Sequence, residues 1–179
     1  MNETVEDLEL LVRSRYALIV LETHEEERAD ALLRHVATKL SIPLLCWSRS
    51  RGLRQGTSNL EPAIDGTAEP AAALGTVLRQ GSGIYHFPNF DRYLDDPLIA
   101  AHLKDAVIQL ATRRGAVVLS GNDVQLPPPL RAHAVTVRVP APELSEYAAL
   151  LERVLRALSA KMPIRVDISP ADREGPHRA

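Results

Sequence analysis

A chain of 179 residues, 45% hydrophobic and 25% charged, suits one globular domain, able to bury roughly 70% of its unfolded surface. Its formal net charge of −2 gives no global pull toward nucleic acid or an anionic membrane, and the single cysteine, Cys46, excludes an internal disulfide. The first residues are acidic (Glu3, Glu6, Asp7) where a signal peptide would be basic and then apolar, and no apolar run approaches the ~18 residues of a membrane span, so a cytoplasmic protein is expected.

In chain order, residues 3–14 carry Val5, Leu8, Leu11 and Val12 at helical spacing, which predicts a short amphipathic helix. Residues 16–21 are continuously apolar, as a parallel strand covered on both faces requires. Thr23 then occupies an N-cap position, ahead of a helix expected from about residue 25 to Ser41, with Ala29, Leu32, Leu33, Val36, Ala37 and Leu40 on its buried face. Pro43 stops that helix, and 43–47 reads as the second strand.

From 48 to 67 the periodicity gives way to Arg, Ser, Gly, Gln, Asn and Pro, so a long loop is expected, with Arg49, Arg51 and Arg54 at its tip as an anion-binding candidate. Helical spacing returns over 69–80 and is stopped by Gly81 and Gly83. The third strand is 84–87, followed by a turn over 88–91. Asp96 and Pro97 then open a helix through 113, and 116–120 is the fourth strand. Residues 121–123 turn away, 126–130 form a stiff proline-rich connector, and 134–139 is the fifth strand. Pro142 opens a last helix carrying Leu144, Leu151, Leu155 and Leu158. The tail, 163–179, lacks a packing pattern beyond Ile168 and is expected to be partly disordered.

Five strands alternating with helices predict an α/β fold, a mainly parallel five-stranded sheet with helices on both faces. Ligands in such folds sit at the carboxyl ends of the strands, which here means residues 22–25, 88–91 and 121–123.

A family resemblance rests on specific residues. The run 116–153, with Asn122, Leu126-Pro127, Leu130-Arg131, Val139-Pro140, Pro142, Glu143 and Glu146, resembles the second half of an AAA+ ATPase core. The third strand with Asp91-Arg92-Tyr93-Leu94 resembles the Walker B strand and the segment after it. Residues 7–28, with Leu10, Leu11, Arg13, Arg15, Tyr16 and Glu25-Glu26-Glu27-Arg28, are similar to the degenerate N-terminal ATPase-like domain of the two-domain AAA proteins encoded in cyanobacterial and chloroplast genomes. The resemblance implies a three-layer P-loop NTPase-like sandwich over 1–162, with the helical lid subdomain missing.

Carried over, the Walker A positions fall on 22–28, which hold no glycine and no lysine, and three glutamates sit where a triphosphate would meet the helix dipole. Pro88 and Asn89 stand where the Walker B acids belong. The implied nucleotide-binding remnant is Thr23, His24, Glu25, Asp91 and Asn122, with Arg131 as the candidate trans-acting arginine and no catalytic residue.

The six histidines show no metal-ligand spacing, so no metal centre is expected; Cys46 reads as a core thiol and His86 as a sheet histidine. The expectation is a non-catalytic AAA+-like assembly or interaction module without a cofactor, partnered by an AAA+ ATPase domain in cis or trans or by itself, with nucleic acid disfavoured. The alternative is an atypical nucleotide-binding or weakly active ATPase domain using ATP and Mg²⁺.

Overall fold

The structure is a computed structural model that describes residues 2–58 and 61–140, together with Glu152 and Arg156. Its elements are α1 (Asn2–Arg13), β1 (Leu18–Glu22), α2 (Glu26–Leu40), β2 (Leu44–Ser48), β3 (Gly52–Gln55), α3 (Pro70–Gln80), β4 (Gly83–Pro88), α4 (Pro97–Ala111), β5 (Gly115–Gly121), α5 (Pro128–Arg131) and β6 (Ala134–Arg138), with a 3₁₀ turn at Asp91–Tyr93. The helix expected from Pro142 and the tail 163–179 lie outside the described residues, apart from Glu152 and Arg156, which pair at 2.8 Å.

The sheet order is β3-β2-β4-β5-β1-β6, and every pairing is parallel except that of β2 with β3. The described residues thus form six strands where five were expected. The added strand, β3, lies inside the stretch read as loop: Gly52, Arg54 and Gln55 give it no apolar alternation, yet Leu53 is fully buried. Thr67 holds it in place. Its hydroxyl accepts the Leu53 N–H at 2.8 Å and donates to the Ile64 carbonyl at 2.6 Å, while its own carbonyl accepts the Trp47 Nε1–H at 2.9 Å.

The proline connector also differs from expectation, since it winds one helical turn, α5, with proline where the missing N–H costs nothing. Strand β1 starts two residues later than its apolar run, leaving Tyr16 47% exposed outside the sheet.

Strands β1, β4 and β5 are sandwiched. On one face Ile19, Leu21, Ile84, Ala116 and Val118 pack under α1 and α2. On the other, Val20, Tyr85, Phe87, Val117 and Leu119 pack under α3 and α4, with an aromatic group of Trp47, Phe87, Phe90 and Tyr93. Right-handed crossovers produce this arrangement: the step from β1 out to β2 carries α2 on one face, and the return steps to β4 and β5 carry α3 and α4 on the other. The direction reverses between the neighbouring strands β1 and β5, which makes their carboxyl ends the switch point where such sheets bind ligands.

Two substitutions test this packing. A Cβ at Gly115 would stand 2.6 Å from the Gly83 carbonyl oxygen and 3.0 Å from the Gly83 nitrogen, so Gly115→Ala must push β4 and β5 apart; we expect a loss of about 1–3 kcal/mol in urea unfolding. Asp96 accepts the Leu98 N–H at 2.8 Å as the N-cap of α4, and Asp96→Ala should cost about 1 kcal/mol in the same assay.

Candidate functional site

At the switch point, β1 joins α2 through three residues, Thr23, His24 and Glu25. The turn is closed by its own bonds. The Thr23 N–H donates to the Gly121 carbonyl at 2.9 Å, and the Thr23 hydroxyl accepts the Glu25 N–H at 3.1 Å. Thr23 therefore braces the turn instead of capping the helix, which begins at Glu26 with Glu25 as its N-cap residue and no side-chain cap bond. Glu26 and Glu27 place carboxylates on the first helical turn, where they interact favourably with the positive end of α2. On the outer side the Val139 N–H reaches the Glu22 carbonyl at 3.0 Å, and Arg138 pairs with the Glu22 carboxylate at 2.8 Å.

Asp91 and Asn122 come together. They line a cleft of about 430 Å³ with Asn89, Arg92, Gly121, Asp123 and Val124, beyond the ends of β4 and β5. Asn89, at a left-handed φ of 51°, turns the chain after Pro88, and its N–H donates to the Ser120 carbonyl at 2.7 Å. Thr23, His24 and Glu25 are not among the cleft's lining residues. Arg131 sits on α5 with its Nε–H donating to the Leu126 carbonyl at 2.7 Å.

The three arginines expected on one loop tip are separated by the folding of β3. Arg49 pairs with Glu69 at 2.6 Å, Arg51 lies in the exposed β2–β3 turn, and Arg54 is buried on β3 opposite Cys46.

A further cluster escaped the sequence reading. Asp30 on α2, Cys46 on β2 and His86 on β4 bring one ligand-capable atom each within 4.8 Å of the others. His86, fully buried, has its Nδ1 at 2.9 Å from the Asp30 Oδ1 and its Nε2 at 2.7 Å from the Ser120 Oγ on β5. The Cys46 Sγ lies 3.8 Å from the His86 Nδ1 and 3.9 Å from the Asp30 Oδ1. Burial first, and then the Asp30 charge, push the Cys46 thiol up to about 12, so the free thiol stays protonated at neutral pH. The signal in the sequence was a polar residue inside each of two apolar strands. Their meeting depends on strand order, because β2 and β4 are neighbours with Cys46 opposite His86.

Asp30, Cys46 and His86 open onto a cavity of about 610 Å³ whose walls also include Glu26, Glu27, Arg34, Arg54 and Thr57. Arg34 reaches the Thr57 hydroxyl across it.

Among the described residues no helix is long and apolar enough to cross a membrane. Known proteins place the fold and the family. The structure is similar to that of C. elegans PCH-2, with a TM-score of 0.62 and 12% identity over 95% of this chain and 51% of that one. It is also similar to a chain in the E. coli MS115-1 HORMA:CdnC:Trip13 complex, with a TM-score of 0.59 and 13% identity over 97% of this chain and 71% of that one.

In sequence, the AAA domain-containing protein ycf46 of Trieres chinensis is 26% identical over 155 residues, 86% of this chain and 31% of the relative. Its namesake in Pyropia yezoensis is 25% identical over 168 residues, 90% of this chain and 33% of the relative. The chain therefore spans about a third of the length of these relatives. The profile described as "SpoVK-like AAA ATPase, N-terminal domain" matches residues 4–139, the whole of the six-stranded unit. The chain belongs to the family of N-terminal domains of SpoVK-like AAA ATPases.

Proposed function

We propose that this domain is a non-catalytic AAA+-like module that acts by assembling with an AAA+ ATPase domain, in the same chain or another, or with its own copies. The observation that carries the reading is the closed turn between β1 and α2. A phosphate loop spans the eight-residue pattern GxxxxGK[ST], so that successive backbone amides surround the anion and a lysine reaches the outer phosphates. Here three residues make the connection, and the amides of Thr23 and Glu25 are already bonded within the protein.

Charge acts in the same direction. Glu25, Glu26 and Glu27 surround the end of α2 that would attract a triphosphate, and repulsion between these carboxylates and phosphate oxygens opposes binding. On β4, Pro88 and Asn89 supply no carboxylate for Mg²⁺ or for an attacking water. Phosphoryl transfer depends on positioning and charge stabilisation, and each group that would provide them is replaced at these positions.

The remnant residues take structural roles in this reading. Thr23 ties β1 to β5, and Asp91 opens the 3₁₀ turn that leads to α4. Arg131 holds the proline connector through the Leu126 carbonyl. What remains for function is the set of faces by which AAA+ domains meet their neighbours.

Isothermal titration of the chain with Mg-ATP and with Mg-ADP should give no binding at micromolar nucleotide. A micromolar dissociation constant for either would overturn the proposal in favour of a nucleotide-binding domain, with the Asp91–Asn122 cleft as its first candidate site. Sedimentation of the chain, alone and mixed with an intact AAA+ ATPase domain of the ycf46 type, should show a species heavier than the 19.7 kDa monomer in at least one case. A strictly monomeric chain in both would count against assembly.

A further inference from the structure

We propose that Asp30, Cys46 and His86 form a binding site for one divalent transition-metal ion of the zinc class, with the fourth coordination position open to the cavity beside α2. The donor set is one carboxylate oxygen, one thiolate sulfur and one imidazole nitrogen. That mixture suits a borderline-soft ion such as Zn²⁺ and suits Mg²⁺ or Ca²⁺ poorly, since these take oxygen donors.

The spacing is close to that of a metal shell, tighter between oxygen and nitrogen and wider to the sulfur. With Zn–O and Zn–N near 2.0 Å and Zn–S near 2.3 Å, a tetrahedral site separates its oxygen and nitrogen by about 3.3 Å and its sulfur from either by about 3.5 Å. The corresponding separations here are 2.9, 3.8 and 3.9 Å, so shifts of a few tenths of an ångström close the shell. Torsions of Asp30, whose side chain is 25% accessible, adjust the two separations that involve its carboxylate, and the third closes by about 0.3 Å between Cys46 and His86.

Ser120 completes the arrangement. Metal-bound imidazole presents the lone pair of one ring nitrogen to the ion and donates the N–H of the other to an outer partner, which fixes ring and tautomer. His86 directs Nδ1 toward Asp30 and Cys46, and its Nε2 meets the Ser120 Oγ at 2.7 Å. A hydroxyl both donates and accepts, so Ser120 suits the metal-free ring with Nδ1–H turned to Asp30 as well as the metal-bound ring with Nε2–H.

The same residues have the order of an acyl-transfer relay, Asp30–His86–Ser120, but that reading fails on access. Ser120 does not line the cavity, whereas Asp30, Cys46 and His86 all do. The open position thus faces solvent on the side of the candidate ligands and not on the side of the hydroxyl.

Binding forms the Cys46 sulfur–metal bond and releases the thiol proton to solvent, so affinity rises with pH. The charged and titratable groups facing the thiol are Asp30 and Arg34 from α2, Arg54 from β3 and His86 from β4, with Glu26 and Glu27 on the same cavity wall. Asp30 and the thiolate together neutralise a dication, and the same cavity wall carries Glu26 and Glu27 beside Arg34 and Arg54.

The test uses the full chain without a histidine tag, stripped by a chelator and titrated with Zn²⁺ against a chromophoric competitor. We expect one ion per chain, tighter at pH 8 than at pH 6, and a thiolate-to-metal charge-transfer band when Co²⁺ replaces Zn²⁺. Cys46→Ser should remove that band. Asp30→Asn, which keeps an acceptor oxygen for His86, should weaken Zn²⁺ by more than tenfold, and Ser120→Ala by about 10–100-fold. Zn²⁺ should raise the thermal midpoint of the native chain more than that of Asp30→Asn at the same ion concentration. Absence of stoichiometric binding, or Zn²⁺ affinity unaltered in both Cys46→Ser and Asp30→Asn, would overturn the site and leave the cluster a buried hydrogen-bond network.

Discussion

Burial of β1, β4 and β5 between two helical layers is the constraint on which the rest of the structure depends. With helices on both faces there is no solvent to satisfy a polar side chain, and each one in these strands needs a partner from a neighbouring element. Tyr85 meets the requirement locally, its hydroxyl donating to the Gly81 carbonyl at 2.8 Å. His86 cannot, because its two ring nitrogens point in opposite directions. One partner comes from α2 and the other from β5, so a single buried ring fixes the position of Asp30 on its helix and couples three elements.

The sandwich was legible because its information is local. Apolar runs at Leu18–Glu22, Gly83–Pro88 and Gly115–Gly121 carry the signature of strands covered on both faces, and Ala29, Leu32, Leu33 and Val36 carry the period of a helix packed on one. Strand β3 was not legible. It is held by the Thr67 hydroxyl, 14 residues from Leu53, and by a glycine with φ +83° whose absent Cβ leaves room for that hydroxyl. No window of sequence around Gly52–Gln55 contains that information.

The sites divide in the same way. The turn at Thr23 could be read from the sequence, since its short length, missing glycines and clustered glutamates are all visible there; what the sequence did not give was that two of its amides are already bonded. Cys46 and His86 were each readable as buried, and each reading holds. Their juxtaposition was hidden, because 40 residues separate them and only the placement of β2 beside β4 brings them opposite. The metal-ligand patterns used in sequence reading rest on ligands sharing one turn or one helix, and a shell assembled from three elements has no such spacing.

The closed turn and the cluster adjoin at the start of α2, about one helical turn apart. At its N-terminus α2 carries Glu25, Glu26 and Glu27, which satisfy the dipole and oppose an anion. One turn on, Asp30 turns inward to His86 and Arg34 crosses to Thr57. The carboxylates of that wall therefore favour a cation over an anion, which is the charge balance the proposed metal site requires. The metal site stands or falls on Asp30, Cys46 and His86.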